Sequence, residues 1–373
     1  MIRNLVTGVA VSLCALGVLV ANLSADWPVF RGNPQQTGVA TSGLPDKLEI
    51  LWRFETPSAI EGTAAIADGV VFFGGQDEHV YAVGLADGKR KWKYKAAAPI
   101  KVGAACSDGL VYVGDEDGKF HCLDAKTGEK RWLFDTDSEI TSAASFDGQR
   151  VLFGAGDNLL YCLDKSKGGP PLWTFKVPGG PVMATPAIID SKTFVAGCDN
   201  TLHVIDTTTG KELSSVELDG QVAATGALVG NVLYIGTMTN QVQAIDWKTG
   251  KVVWTYEAKK KQQPFAGSVA ATKDLVIAGS RDKCVHGIDL KTGGEKWVTP
   301  TGGRVDSSPV VAGQRVYVGS MDGKLHVLDL AKGDMVQTVE LSKRGLAASP
   351  AVSSGRLVIG TLEGALVCLG KKD

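Results

Sequence analysis

The sequence has no excess of either charge and, beyond residues 1–25, no long apolar run. It carries 39 Lys and Arg against 40 Asp and Glu, so its formal net charge at pH 7 is −1. That balance gives no electrostatic basis for binding nucleic acid. No stretch after residue 25 approaches the about 20 apolar residues of a membrane-spanning helix. We therefore expect a globular protein without a nucleic-acid partner.

Common catalytic and cofactor-binding motifs are also absent. The chain has seven cysteines but no Cys-x-x-Cys-His haem motif, and it has neither a Gly-x-Ser-x-Gly elbow nor a P-loop. The 46 glycines follow no collagen period and instead indicate many tight turns. A helical bundle is not expected.

The beginning of the chain, residues 1–25, has the pattern of an export signal. Arg3 precedes an uncharged run over residues 5–23, and two small residues follow at 24 and 25. We expect cleavage of residues 1–25 and a periplasmic or secreted mature chain. Because the run is long enough to cross a bilayer, a retained N-terminal membrane anchor is the alternative.

A unit of about forty residues recurs eight times in the rest of the chain. One apolar residue after the central turn of each unit gives a register with spacings of 40 to 43: Val80, Phe120, Leu160, Leu202, Val242, Val285, Leu325 and Leu366. Each unit offers four strand-sized segments, and this period is typical of a β-propeller. We predict an all-β, eight-bladed propeller with four-stranded blades over residues 48–369, between an N-terminal extension (26–47) and a short tail (370–373).

Two kinds of turn support the assignment. Dipeptides such as Asp117-Gly118 stand between two apolar runs, where a tight hairpin needs positive φ. An Asp-x-x-Thr-Gly element, as at residues 124–128, predicts a second turn in which the carboxylate accepts backbone N–H bonds and glycine is left-handed.

The two ends of the repeat region are expected to share one blade. The eighth unit has only three strands, whereas residues 48–55 form a strand with no hairpin partner. Pairing them closes the ring and removes its open edges. Deleting residues 48–55 should therefore destabilise the protein, and deleting residues 26–40 should have a mild effect.

A tryptophan follows the second turn in several units. The resulting Asp-x-x-Thr-Gly-x-x-x-Trp element resembles the tryptophan-docking repeat of the pyrroloquinoline-quinone-like, quinoprotein-type propeller family. The resemblance implies that the indoles pack between neighbouring blades, and its docking residues are Trp52, Trp92, Trp132, Trp173, Trp254 and Trp297. In units four and seven, Leu213 and Val336 are expected at this position.

The resemblance implies more than one function. Quinoprotein dehydrogenases hold pyrroloquinoline quinone (PQQ) with calcium, but this chain lacks their adjacent cysteine pair, and its regular spacing leaves little room for their pocket-building insertions. We predict no catalytic, cofactor-binding or metal-binding residues and favour a monomeric scaffold that binds a protein of the cell envelope, as in outer-membrane protein assembly. A small-ligand or glycan binder and a PQQ-dependent oxidoreductase are the alternatives.

One mouth of the central channel is the candidate binding face. Charged residues stand where three of the inner strands begin, and the longest loop between blades (257–264) adds a run of lysines. The candidate residues are Glu61, Lys101, Lys259, Lys260, Lys261, Arg281, Arg304 and Asp306, with Lys283 close to the two arginines. The basic ones are expected either to attract an acidic partner or to be ordinary solvated loop residues.

Histidines and cysteines follow the repeat as well. His121, His203, His286 and His326 occupy one register position, which Tyr81 and Tyr161 hold in two other units. Because equivalent positions diverge from the propeller axis, we predict hydrogen-bonding and packing residues rather than ligands of one ion. The six cysteines after residue 25 are expected to be too far apart for disulfides.

Overall fold

The structure is a ring of eight antiparallel sheets. The computed structural model describes residues 26–259 and 262–372. Their 32 strands, in chain order, are β1 (Glu49–Glu55), β2 (Ala65–Ala67), β3 (Val70–Gly75), β4 (His79–Gly84), β5 (Arg90–Lys95), β6 (Ala105–Ser107), β7 (Leu110–Gly114), β8 (Lys119–Asp124), β9 (Lys130–Asp135), β10 (Ser145–Asp147), β11 (Arg150–Gly154), β12 (Leu159–Asp164), β13 (Gly168–Lys176), β14 (Ala187–Ile189), β15 (Lys192–Ala196), β16 (Thr201–Asp206), β17 (Glu212–Glu217), β18 (Ala227–Val229), β19 (Val232–Gly236), β20 (Gln241–Asp246), β21 (Lys251–Glu257), β22 (Ala270–Ala271), β23 (Leu275–Gly279), β24 (Cys284–Asp289), β25 (Glu295–Pro300), β26 (Val310–Ala312), β27 (Arg315–Gly319), β28 (Lys324–Asp329), β29 (Met335–Glu340), β30 (Ala351–Ser353), β31 (Arg356–Gly360) and β32 (Ala365–Gly370).

Each sheet is one blade with its strands in order from the channel outward, named A to D. Blade 1 is β2 to β5, and the next six blades follow in chain order up to β29. Blade 8 has the order β1-β32-β31-β30, so β1 is its outermost strand. Arg53 of β1 lies opposite Val367 of β32. The predicted eight-bladed propeller and its closure by the N-terminal strand are confirmed.

The hairpins between strands B and C all turn through a residue with positive φ, as predicted. These residues are Glu78, Gly118, Asn158, Asn200, Asn240, Lys283, Gly323 and Gly364. In the C-to-D turn of blade 2, Asp124 Oδ1 accepts the backbone N–H groups of Lys126 and Thr127, both at 2.9 Å. Gly128 ends this turn with a φ of 74°. The expected chemistry of both turns is therefore present.

The six tryptophans each dock on the following blade. Trp92 donates from Nε1 to the carbonyl oxygen of Ala125 at 2.9 Å. A Cβ at Gly128 would lie 2.7 Å from the Trp92 ring, so only glycine leaves room for the indole. The same pair of contacts is made by Trp52, Trp132, Trp173, Trp254 and Trp297.

Blades 4 and 7 lack this tryptophan, and the residues that replace it are not the expected ones. Ser214 and Gln337 lie opposite the strand C residue that faces tryptophan elsewhere. Leu213 and Val336 are displaced by one position and are 52% and 44% exposed. The prediction was wrong by one residue, and because side chains alternate along a strand, one residue reverses the face.

Other contacts take the place of the two missing tryptophans. The amide of Gln337 bonds the backbone of Leu48 in both directions, at 2.7 and 2.9 Å, just before β1. Next to Ser214, the buried Trp247 of blade 5 packs edge-on against Phe194 of blade 4, with ring centroids 5.3 Å apart. Each interface is thus filled by a side chain outside the repeat pattern.

The N-terminal extension lies inside the ring. Residues 27–40, which we name the strap, bond through their backbone to the inner strands of six blades. The partners are Ile66, Cys106, Ile188, Leu228, Ala271 and Val311. The Gln36 side chain adds a bond to Ser145 Oγ in blade 3 at 3.3 Å. The strap therefore crosses one end of the channel.

The strap side chains are part of the core. Trp27 and Arg31 are each 1% exposed. The Arg31 guanidinium donates to the carbonyl oxygens of Ser308 (3.3 Å), Val269 (3.2 Å) and Pro309. The mild effect expected for deleting residues 26–40 does not fit these contacts, because they join blades that are far apart in the sequence.

No disulfide joins the six cysteines of the described residues, which agrees with the sequence prediction. Within 26–259 and 262–372, no helix combines the length and hydrophobicity needed to span a bilayer. The predicted signal (1–25), Lys260 and Lys261 lie outside the described residues.

Candidate binding face at the channel mouth

The strap leaves the channel open at the end opposite to it. The remaining cavity has a volume of about 220 Å³ and is lined mainly by residues at the starts of the inner strands. Lys101, Thr141, Met183 and Asp306 belong to this lining, and Phe30 of the strap forms part of the floor. Hairpins B to C and loops D to A surround this opening.

Two of the predicted residues are bonded to nearby side chains at the same end of the ring. Lys101 forms an ion pair with Glu116 of the adjacent hairpin, and that hydrogen-bonded contact raises the pKa of Lys101. Glu61 accepts a hydrogen bond from Gln76. These contacts leave Lys101 charged at neutral pH but largely compensated by Glu116.

The structure brings Asp306 together with two predicted arginines. Arg281 Nε lies 2.7 Å from Asp306 Oδ1, and Arg304 Nε lies 2.7 Å from Asp306 Oδ2. The three residues keep one net positive charge. Exposed ion pairs of this kind contribute about 0–1 kcal/mol to stability, so the cluster matters for the surface potential more than for folding.

Lys259, in the longest loop between blades, does not line the channel. Lys259 is exposed and lines a separate cavity of about 330 Å³ beside blade 6. Lys260 and Lys261 belong to the undescribed part of the loop. The described portion therefore adds one cation to this end of the ring.

Two basic residues were missed in the sequence. Lys343 and Arg344 are exposed on the loop between β29 and β30, which opens on the same end. Aligning the D-to-A loops by the repeat register would have found them. We name the basic sector by its exposed members: Lys259, Arg281, Lys283, Arg304, Lys343 and Arg344.

Exposed carboxylates occupy the same end at blades 2 and 3. This acidic sector consists of Glu116, Asp117, Asp135, Asp137 and Glu139. An excess of cations and an excess of carboxylates thus lie on different sides of the channel mouth, with Asp306 and Glu363 among the cations and Lys101 and Lys119 among the carboxylates. Such a face orients a partner as well as attracting it, because only one rotation matches both sectors.

The channel lining does not fit PQQ with calcium. Among the described residues that line the channel, Asp306 is the only one with a carboxylate, and both of its oxygens are already bonded to arginine. Calcium takes about six to eight oxygen ligands. The cavity is also smaller than the about 300–1,000 Å³ of typical cofactor pockets.

A second cavity of about 640 Å³ lies between blades 1 and 2, on the strap side. Its lining includes the apolar residues Phe72, Cys106 and Leu110. In blade 3 the position of Cys106 is held by Phe146, which packs on Tyr112 with ring centroids 5.0 Å apart. The smaller Cys106 leaves this space open.

The register histidines form hydrogen bonds, as predicted. Nε2 of His121 lies 2.9 Å from Asp115 Oδ2, and Nε2 of His203 lies 2.8 Å from Asp199 Oδ2. Where tyrosine replaces histidine, as at Tyr161, its hydroxyl donates to the hairpin aspartate instead. The polar pair ties strand C to the B-to-C hairpin.

Comparison with known proteins identifies related chains. The family model described as outer membrane protein assembly factor BamB matches residues 45–102, 95–182 and 166–373. The crystal structure of BamB from Moraxella catarrhalis is 22% identical, with a TM-score of 0.75 over 87% of this chain and 100% of that one. Quinohemoprotein alcohol dehydrogenase from Comamonas testosteroni is 15% identical, with a TM-score of 0.80 over 94% of this chain and 81% of that one.

A europium-containing methanol dehydrogenase is 14% identical, with a TM-score of 0.79 over 93% of this chain and 98% of that one. Curated proteins give no match. The structural similarities, with identities of 22% or lower, show a shared fold only.

Proposed function

This chain belongs to the family described as outer membrane protein assembly factor BamB, and we propose that it is a non-catalytic, protein-binding scaffold of the cell envelope that serves outer-membrane protein assembly. The observation that carries the proposal is the two-sector charge pattern around the open channel mouth. It lies on exposed loops, and the rigid ring keeps these loops in fixed positions.

Both sectors take part in partner recognition. An acidic segment of the partner binds the basic sector, and basic residues of the partner face the acidic sector. Electrostatic attraction over several ångströms raises the rate at which the partner associates. Mismatched orientations are disfavoured because they bring like charges together. The interaction therefore weakens with salt, because exposed charges are screened beyond about 8–10 Å.

The test compares two triple variants with the same change of charge. The first, Lys283→Glu with Lys343→Glu and Arg344→Glu, reverses the basic sector. The control, Lys211→Glu with Lys291→Glu and Lys332→Glu, changes exposed lysines of the C-to-D turns and strand D starts on the strap side. In cells without the native gene, the control should restore the amounts of folded outer-membrane proteins, and the first variant should not.

Crosslinking identifies the partner in the same cells. The native chain and the control should crosslink to a component of outer-membrane protein assembly, and the basic-sector variant should lose this product. Equal rescue by both variants would place binding elsewhere on the ring. Normal outer-membrane proteins in cells that lack the chain would contradict the role itself.

The small-ligand alternative has one observation in its favour, the apolar cavity between blades 1 and 2. The oxidoreductase alternative is tested with the purified chain, PQQ and Ca²⁺. Saturable PQQ binding with dye-linked alcohol oxidation would replace the scaffold proposal.

A further inference from the structure

Blade 6 gathers three potential metal ligands on one face of a strand. Cys284 and His286 are two residues apart on β24, so their side chains point the same way, and Asp282 lies two residues earlier in the hairpin. One carboxylate oxygen, Sγ and a ring nitrogen lie within 4.8 Å of one another. Asp282 and His286 are buried, and Cys284 is half-buried.

The cysteine distinguishes this blade from its repeats. Blades 4 and 7 have the same aspartate–histidine pair, with Nε2 to carboxylate distances of 2.8 and 3.1 Å. At the register position of Cys284 they carry Thr201 and Lys324. Blade 6 alone among these three blades adds a thiolate-forming group beside the pair.

Hydrogen bonds to Tyr256 and Asp282 fix the orientation of the His286 ring. Tyr256 Oη lies 3.0 Å from Glu295 Oε2 and 2.9 Å from His286 Nδ1, and His286 Nε2 lies 3.1 Å from Asp282 Oδ2. Nε2 therefore faces the Asp282 carboxylate, and the Cys284 Sγ lies within 4.8 Å of both ligand atoms.

The three ligand atoms are close enough together to bind one metal ion. Bonds of about 2.0–2.2 Å to nitrogen and oxygen place two ligands of a tetrahedral ion roughly 3.3 Å apart. The Nε2 to Oδ2 distance of 3.1 Å is close to that value. Tyr256 would hold the imidazole with Nε2 towards the ion, as outer hydrogen-bond partners do in zinc sites.

We propose that Asp282, Cys284 and His286 form a binding site for a divalent transition-metal ion of the Zn²⁺ type. The mixed sulfur, nitrogen and oxygen set favours Zn²⁺ over Ca²⁺ or Mg²⁺, which prefer oxygen ligands alone. The adjacent cavity of about 330 Å³, which all three residues line, gives access and room for a fourth ligand such as water.

The test is metal titration of the untagged, chelator-treated protein. The native chain should bind one equivalent of Zn²⁺ in competition with a chromophoric chelator. Co²⁺ should bind at the same place and give a sulfur-to-cobalt charge-transfer band, which reports the thiolate directly. Cys284→Thr, which introduces the residue of blade 4, should abolish the band and weaken Zn²⁺ binding at least about 100-fold.

Two further variants separate the site from incidental binding. Cys198→Ser changes a half-buried cysteine of another hairpin and should leave the stoichiometry and the band unchanged. Tyr256→Phe should retain the band with about 10–100-fold weaker binding, because the imidazole loses its positioning partner. No saturable binding by the native chain, or undiminished binding by Cys284→Thr, would overturn the proposal.

Discussion

The indole of Trp52 lies on Gly88 and donates from Nε1 to the carbonyl oxygen of Leu85 at 3.0 Å. Trp52 belongs to the strand that completes blade 8, and Gly88 belongs to blade 1. The last blade is thus joined to the first by the contact that five other blades use. The interface between blades 8 and 1, where the ring closes, therefore has the same tryptophan contacts as the other five tryptophan-bearing interfaces.

Removing the closing strand should open the ring. Deletion of residues 48–55 leaves β32 as an exposed edge and removes the Trp52 contact, so we expect a lower melting temperature and self-association. Trp52→Ala tests the docking contact alone and should cost about 3 kcal/mol in the free energy of unfolding. Calorimetry and light scattering measure the two effects; a deletion variant that melts like its parent as a monomer would refute closure.

Removing the strap should be as damaging. Arg31→Met leaves the carbonyl oxygens that Arg31 bonds without a donor, and we expect a loss of about 3 kcal/mol in urea unfolding. Lys89→Met, at a highly exposed lysine, is the control. Similar stability of both variants, or of a chain without residues 26–40, would mean that the strap adds little to the ring.

The glycine beneath a docked indole should be more sensitive than the same glycine without one. Gly128 and Gly250 have φ of 74° and 67° in equivalent turns, so alanine at either has a backbone cost of about 1–2 kcal/mol. At Gly128 the new Cβ would also lie 2.7 Å from Trp92, whereas at Gly250 it meets only Val216 at 3.9 Å. Gly128→Ala should therefore lose about 1–3 kcal/mol more in denaturant unfolding; equal losses would contradict the packing argument.

Acid should destabilise the C-to-D turns. The Arg131 guanidinium and the Thr127 N–H group lower the pKa of Asp124 to about 2, and the pKa values of Asp206 and Asp329 are lowered mainly by backbone N–H bonds. A carboxyl group whose pKa in the folded protein lies below the unfolded value of about 3.9 stabilises the fold above that pH. This stabilisation is lost as the pH falls towards 2.

The melting temperature should accordingly decline between about pH 4 and pH 2. Asp124→Asn should lower it near neutral pH and make that decline shallower. Asp334→Asn, an exposed change of the same charge, is the control. A parallel profile for Asp124→Asn and the native chain would show that the turn carboxylate is not responsible.

The repeat made most of the fold predictable. Positions such as Leu160 and Val242 recur at a near-constant spacing, and turns such as residues 124–128 follow local rules. The errors at Leu213 and Val336 came from placing the residue three positions after the turn glycine, whereas the tryptophans stand four positions after it, a spacing that gives Ser214 and Gln337. Local sequence could not reveal Trp247 as a replacement, because it comes from a different blade.

The position of the strap and the arrangement of the binding face could not be predicted, because both depend on contacts between residues far apart in the sequence. Arg31 meets Val269 and Ser308, which lie 238 and 277 positions further along the chain, and the strap binds largely through its backbone. At the channel mouth the sequence showed which charges are present. It could not show that Arg281 and Arg304 share Asp306, since that depends on the path of two loops.

The closure of the ring also sets the order in which the chain can fold. Thr56 Oγ1 bonds the carbonyl oxygen of Gly364, 308 residues later in the chain. Contacts of such long range are slow to form because a large loop must close first. Strand β1 therefore waits for β32, and a chain that stops before β32 leaves β1 as an unpaired edge.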